Sequence, residues 1–384
     1  MRVGIIGTTW PYRGGLAAFN ERLARQFMSE GHEVEIFTFT MQYPDFLFPG
    51  KTQYSDMPKP EDLSITRTMN SINPFTWFKT ARMLRKNKID LIVIKFWIPL
   101  MAPCLGTIAR LARRRGVRVV SILDNVIPHE PHFWDKWLIR YFVRSVDRFV
   151  AMSASVQQDC LRFLPAAKHD IVALSPHPLY DNFGDPVEQR EARKMLGLPE
   201  DKTILLFFGF IRDYKGLDLL MKAYKKVISS QQSGVSKELL LVVAGEFYNN
   251  GAQYSELEKE LHLEGRIAWH TDFIADDKVR LYFSAADLIV QPYKTATQSG
   301  VTQIAYHFEK PMLVTNVGGL AEIVPDGKVG YVCEVNEDSV AQAIGRFANM
   351  DKTEREKNFR KNIQIEKQKY AWSAMTAKIY DNTK

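Results

Sequence analysis

Cysteine is scarce in this chain. Cys104, Cys160 and Cys333 are the three among 384 residues, far apart and without a CxxC pair. That excludes a disulfide scaffold and a cysteine-built zinc site, and it points to a reducing compartment. Long hydrophobic runs are missing too. The most apolar stretch, residues 89–109, is broken by Asp90, Lys95, Pro99 and Pro103, which makes it a poor membrane span. The opening MRVGIIGTTWPYRGG carries no signal-peptide cleavage pattern, so a cytoplasmic protein is expected. No short repeat occurs. Hydrophobic residues at 46% and charged residues at 25% exclude a disordered or collagen-like chain.

An excess of acid is also lacking. The net charge is +7, and its basic part belongs to one half. Residues 1–180 hold 24 Lys+Arg against 15 Asp+Glu, while the remainder holds 27 against 29. The cations concentrate in Arg82, Arg85, Lys86 and Lys88, and in Arg110, Arg113, Arg114, Arg115 and Arg118. Such patches suit anionic lipid headgroups, nucleic acid or phosphorylated substrates. Cations at helix ends equally well offset the helix dipole. No recognition motif or basic-aromatic single-strand platform appears, so nucleic acid is not an expected partner.

The length itself predicts two or three domains. Short β-branched runs alternate with amphipathic helix-length segments, the signature of parallel sheets with βαβ crossovers. Strands are expected at 3–7, 33–39, 91–96, 117–123, 148–152 and 171–174, then at 203–208, 239–244, 267–269, 288–291, 312–315 and 330–333. Residues 43–60, with four prolines, read as a long loop. Prolines and glycine crowd residues 175–200, where the pattern restarts. The expected division is an N-terminal Rossmann-like domain over 1–180, a second over 181–355, and a C-terminal helical segment over 356–384 packing back toward the first. The fold class is α/β, two doubly wound domains facing across a cleft, with ligands beyond the carboxyl ends of the strands.

Three strand ends carry chemistry. In GIIGTTWPYRGGLAAF, Gly14 and Gly15 open a helix whose amides an anion can approach. A GxGxxG dinucleotide fingerprint is absent, and no acidic residue ends the next strand. In LLFFGFIRDYKGLDLL, a strand ends at Gly209 and a polar loop delivers Arg212 and Lys215 beside a helix start, a pattern suited to pyrophosphate. In QPYKTATQSGVTQIAY, the turn Thr297-Gln298-Ser299-Gly300-Val301 again offers helix-start amides to a phosphate or a sugar hydroxyl. Three such ends point to a phosphate-bearing ligand. In SILDNVIPHEPHFW, a strand-end loop, Asp124 and His129 are the candidates to orient an acceptor hydroxyl or take its proton.

These segments together resemble the GT-B glycosyltransferases of the retaining group called family 4. FFGFIRDYKG is similar to that family's strand ending in GRL followed by EKG. SAADLIVQPY and EKPMLVTNVGGLAEIVPDGKVGYV resemble its nucleotide-binding domain. YRGGLAAFNERLARQFMSEGHEVEIFT and SVDRFVAMSASVQQD resemble its acceptor domain. The loop with Asp124 is similar to the family's "HN-V-x-P-HE" pattern, Asp124 replacing the first His while Asn125, Pro128, His129 and Glu130 match.

Two departures stand out. The family's Glu-x7-Glu pair falls on Ala296 and Ile304, so both carboxylates are missing, leaving Thr297, Gln298, Thr302 or Gln303 to supply neutral hydrogen bonds. The usual Arg of GRL is Phe210, with Arg212 two residues later.

The resemblance implies transfer of a sugar, with retained configuration, from a nucleotide diphosphate sugar to an acceptor hydroxyl, in cell-surface glycan or glycolipid synthesis. Donor contacts fall on Gly15, Gly209, Arg212, Lys215, Thr297, Gln298, Ser299, Gly300, Val301 and Glu322, the last at the nucleotide ribose. Catalytic roles fall on Asp124, His129, Arg212 and Lys215, with no metal and no cofactor. A glycan or lipid-linked glycan is the expected acceptor. Phe75, Trp77 and Phe78 beside Arg82, Arg85 and Lys86 suggest peripheral docking at the inner face of an anionic membrane, unless those rings face the core. Two other readings stay open: a degenerate binding or partner subunit, and a nucleotide-sugar epimerase.

Overall fold

The computed structural model describes residues 1–44, 53–55, 57–128, 132–230, 239–248, 251–296 and 299–381. The chain forms two compact units, Met1–His177 joined by Ala371–Lys384, and Pro178–Tyr370. The terminal segment expected over 356–384 is thus shared: residues up to Tyr370 belong to the second unit, and those from Ala371 belong to the first.

In the first unit the strands are β1 (Arg2–Ile6), β2 (Glu33–Met41), β3 (Ile65–Asn70), β4 (Leu91–Phe96), β5 (Arg118–Leu123), β6 (Arg148–Ala151) and β7 (Val172–Leu174). Its helices are α1 (Gly15–Ser29), α2 (Pro74–Lys86), α3 (Ala102–Arg113), α4 (Asp135–Val143) and α5 (Ala154–Leu161). All strands are parallel, in the order β3-β2-β1-β4-β5-β6-β7. β4 is buried along its whole length, as expected of a central parallel strand covered on both faces. Helices α2 to α5 pack on one face, over Phe96, Leu105, Ile108 and Phe142. Helix α1 and the terminal helix Trp372–Asp381 cover the other, over Phe19, Leu23, Val93 and Met375. Local chemistry agrees with the packing. Asn73 caps α2 by accepting from the Phe75 amide, Pro74 begins it, and Arg85 and Lys86 end it.

The second unit repeats the plan. Its strands are β8 (Thr203–Phe208), β9 (Leu239–Ala244), β10 (Ile267–His270), β11 (Leu288–Gln291), β12 (Met312–Thr315) and β13 (Gly330–Cys333). Its helices are α6 (Gln189–Met195), α7 (Leu217–Ser229), α8 (Ala252–Glu260), α9 (Asp276–Ala285), α10 (Gly300–His307), α11 (Leu320–Ile323) and α12 (Glu337–Ala348), followed by short helical turns to Tyr370. The parallel order is β10-β9-β8-β11-β12-β13. In both sheets the order reverses direction once, between β1 and β4 and between β8 and β11. These switch points are where open α/β sheets leave a crevice for ligands.

Two elements escape the sequence pattern. β3, ITRTMN, is a polar edge strand, too mixed to read as a buried one. α6 lies in the segment whose prolines mark the boundary, where Arg193 reaches Asp287 at 2.7 Å. The long loop at 43–60 lies largely outside the described residues.

Candidate active site

In the second unit the crevice lies past β8 and β11. Gly209 follows β8 with φ +92°, a backbone that L side chains rarely adopt, and a β-carbon there would sit 3.1 Å from the Lys215 ammonium. Gly216 caps α7 with φ +70°, and a β-carbon would strike the Pro292 carbonyl at 2.0 Å. The two glycines let the 209–216 loop fold flat over the end of β11, which turns Lys215 inward.

Lys215 is only 8% exposed. Among the described residues no carboxylate pairs with it. Burial, and secondarily Arg212, push its pKa down to about 8. Its ammonium lies 5.7 Å from the centre of the Tyr293 ring. The Tyr293 hydroxyl is 3.1 Å from the Ser299 hydroxyl, and burial pushes its ionisation well upward. A pocket of about 320 Å³ opens here, with Lys215, Gly209, Tyr293, Ser299, Gly300 and Ile304 in its wall and Tyr180, Phe210 and Tyr214 around them. Ser299 precedes α10 without capping it by side chain, so the amides of the first turn face the pocket wall unpaired by a hydroxyl. On the same helix Thr302 donates to Gln291 at 3.1 Å. Gln303 is 1% exposed, and neither atom of its amide has a partner.

The expected donor residues do not all meet. Lys215, Gly209, Ser299, Gly300 and Val301 share the pocket. Arg212 is exposed, and its guanidinium stands 4.1 Å over the Tyr248 ring, outside that wall. Glu322 is exposed in the first turn of α11. Thr297 and Gln298 lie outside the described residues. Ile304, where the resemblance puts a carboxylate, is 6% exposed and presents hydrocarbon to the pocket.

The first unit's crevice lies past β1, β4 and β5. Gly15 begins α1, and no side chain caps that helix start. Asp124 follows β5 and pairs with Lys95, the fifth residue of β4, at 3.0 Å. Lys95 is 3% exposed, and its ammonium lies 3.2 Å above the Phe19 ring. Burial lowers its pKa, while Asp124 opposes the shift. Beside it Glu21 accepts from the Thr9 hydroxyl at 2.7 Å and from the Trp10 amide at 3.1 Å. His129 lies outside the described residues.

Lys95 and Tyr293 went unlisted among the candidates. The signal for Lys95 was present: one cation inside LIVIKF, an otherwise apolar strand. Tyr293 has no such signal, since a tyrosine after a strand is ordinary. Among the described residues no three His, Cys, Asp or Glu side chains cluster as metal ligands, and no helix is long and apolar enough to cross a membrane.

Two family models match successive parts of the chain: Glycosyltransferase Family 4 over residues 13–176 and Glycosyl transferases group 1 over residues 188–365. D-inositol 3-phosphate glycosyltransferase 2 of Catenulispora acidiphila is 26% identical over 96% of this chain and 89% of its own length. N-acetyl-alpha-D-glucosaminyl L-malate synthase of Bacillus anthracis is 24% identical over 88% of this chain and 84% of its own. Among solved structures, a glycosyltransferase from Rickettsia africae superposes with a TM-score of 0.73 at 17% identity, over 99% of this chain and 97% of that one. Anabaena HepE in complex with UDP gives 0.72 at 16% identity, over 100% and 99%.

Proposed function

Because this chain belongs to the glycosyl transferases group 1, and is a glycosyltransferase of the GT-B fold, we propose that it moves a sugar from a nucleotide diphosphate sugar to an acceptor hydroxyl with retention. The observation that carries the donor is Lys215. A buried ammonium without a carboxylate, beside a glycine-lined loop and a helix start, is an incomplete ion pair awaiting an anion. A diphosphate completes it. UDP in the Anabaena relative is an anion of this class.

Charge grows on the leaving diphosphate as the C1–oxygen bond breaks. Lys215 and the α10 amides are set to stabilise it, so the donor's charge is met by side chains and backbone without a metal. The acceptor oxygen bonds C1 on the same face, and its proton passes to the departing phosphate oxygen. Gly15, at the start of α1, and Asp124 belong to the acceptor-bearing unit, where a glycan or lipid-linked glycan is the substrate class. Asp124 is held by Lys95 in an orientation fit to accept a hydrogen bond from that hydroxyl. Arg212 and Glu322 act from the rim, on the outer phosphate and the ribose.

One observation favours a second reading, a binding-only subunit: Ile304 is hydrocarbon where a donor-sugar carboxylate is expected. A thermal-shift panel of UDP-, GDP- and ADP-sugars, with and without EDTA, tests both. A ligand at about 100 times its Kd adds about 2.7 kcal/mol of stability. One nucleotide class should shift the melt regardless of EDTA, and slow donor hydrolysis should accompany it. A shift without turnover toward water or any glycan leaves the binding-only reading, and no shift sinks the donor site.

A further inference from the structure

Helices α2, α3 and α4 lie side by side on one face of the first sheet. Each is the crossover between parallel strands, so all three start at the carboxyl edge and run the same way. Their outward stripes read alike. Down α2 the exposed positions are Phe75, Phe78, Arg82 and Arg85. Across α4 and its flanks they are Phe133, Trp137, Arg140 and Arg144. Leu100 precedes α3, and Arg113 and Arg114 end it. Apolar groups therefore form a band along one edge of the layer, and cations form a second band along the other.

The rings are uncovered: Phe75, Phe133 and Trp137 keep 84%, 76% and 63% of their surface. They also support one another. Phe133 meets Trp134 edge-on at 4.6 Å and Trp137 at 6.2 Å. Trp77 behaves differently, turning inward and donating to the Asn70 carbonyl at 2.7 Å. Among the described residues Arg82, Arg85, Lys86, Arg114 and Arg140 have no carboxylate partner, and basic hollows of about 440 and 550 Å³ open between the helix ends. Seven helical residues separate Phe78 from Arg85, about 10 Å at 1.5 Å per residue. That spacing matches the depth between the acyl boundary and the headgroup surface of one leaflet.

We propose that the outer face of α2, α3 and α4 docks this chain on an anionic bilayer, the ring band at the acyl boundary and the arginine band among the lipid phosphates. Charge selects this occupant. A second copy would bring the same arginine band against itself, and like charges repel. A single-stranded polyanion would need rings within the cationic track, whereas here the two are separated. The proposal deepens the lipid-linked acceptor of the preceding section and rests on it for its purpose, but the surface is testable without any sugar.

The full chain is sedimented with vesicles of phosphatidylcholine and phosphatidylglycerol at 7:3, and with pure phosphatidylcholine. Binding is expected only to the anionic vesicles, weakening as salt rises, with a blue shift in tryptophan emission that Trp137→Phe diminishes. Phe75→Ser/Phe78→Ser/Phe133→Ser should cut the partition coefficient at least tenfold. Arg82→Glu/Arg85→Glu/Arg140→Glu should cut it on the order of 100-fold. Both variants should keep the parent melting temperature and nucleotide-induced shift, which shows them folded. Equal binding to neutral vesicles, unchanged binding by the ring variant, or a dimer in gel filtration that the ring variant abolishes would each overturn the proposal. If vesicles bind but no nucleotide shifts the melt, the donor reading fails and the surface stands.

Discussion

Each unit of this chain buries one lysine at the carboxyl edge of its sheet, and the two lysines differ in company. Lys95 meets Asp124 at 3.0 Å and lies against the Phe19 ring. Lys215 meets a tyrosine ring at 5.7 Å and no carboxylate among the described residues. The topology around both is the same, a parallel sheet with one reversal of order. The difference therefore lies in the loops. In the first unit the residue just past β5 is an aspartate, which closes the charge within the protein. In the second, the residues past β8 and β11 are glycine, proline and tyrosine, and the charge stays open. A closed pair holds a loop in place. An open cation is a receptor.

The comparison breaks most visibly at Lys215. Lys215→Ala should remove the nucleotide-induced melting shift and lower kcat/KM by about 10²–10³-fold, the loss expected for one preorganised group at a developing negative charge. The unliganded variant should be no less stable than the parent, because a buried cation without a partner is a cost that the substitution relieves. In the first unit the sign reverses. Asp124→Asn leaves Lys95 buried and uncompensated, and urea unfolding should show a loss of about 2–3 kcal/mol, below the range for fully buried pairs because Asp124 is partly exposed. If Asp124→Asn unfolded like the parent while acceptor turnover collapsed, Asp124 would be a substrate contact rather than a closed pair.

Much of the frame was legible in the sequence because parallel strands buried on both faces read as continuous apolar runs. LIVIKF, LLLVVA and MLVT are such runs, and they are β4, β9 and β12. β3 was not, because an edge strand needs little hydrophobicity and ITRTMN has little. The site divides in the same way. Lys215 could be picked out because glycines bracket its loop, and a loop of that composition at a strand end has few structural uses. What the sequence could not say is which of two neighbouring cations turns inward. Arg212 and Lys215 stand three residues apart, and the choice depends on the left-handed turns at Gly209 and Gly216 together with the Tyr248 ring that receives the guanidinium. Nor could it show that Lys95, which interrupts a strand, is matched by a carboxylate 29 positions on.

The finest test of the open cation is its titration, and Arg212 is the handle. In the free protein Lys215 is held down to about 8, first by burial and then by the guanidinium. A bound diphosphate favours the charged form, so the bound pKa exceeds the free one. Nucleotide affinity should therefore be full below about pH 8 and fall as pH rises through it, by up to tenfold per unit until the bound form also loses its proton. Folding linkage has the opposite sign. Between about 8 and the ordinary lysine value near 10.4 the unfolded chain binds more protons than the folded one, so the unliganded protein gains stability with pH there, relative to Lys215→Met. Arg212→Ala removes the second cause of the depression, which should move both midpoints upward. Its direct cost is small, about 1 kcal/mol or a few-fold in affinity, since an exposed guanidinium is well screened. Isothermal titration at pH 7, 8 and 9 in both proteins separates the two effects: the variant should bind more weakly at pH 7 yet lose less affinity between pH 7 and 9. Parallel curves would mean that Arg212 does not act on Lys215, and the pocket's charge would then be set by burial alone.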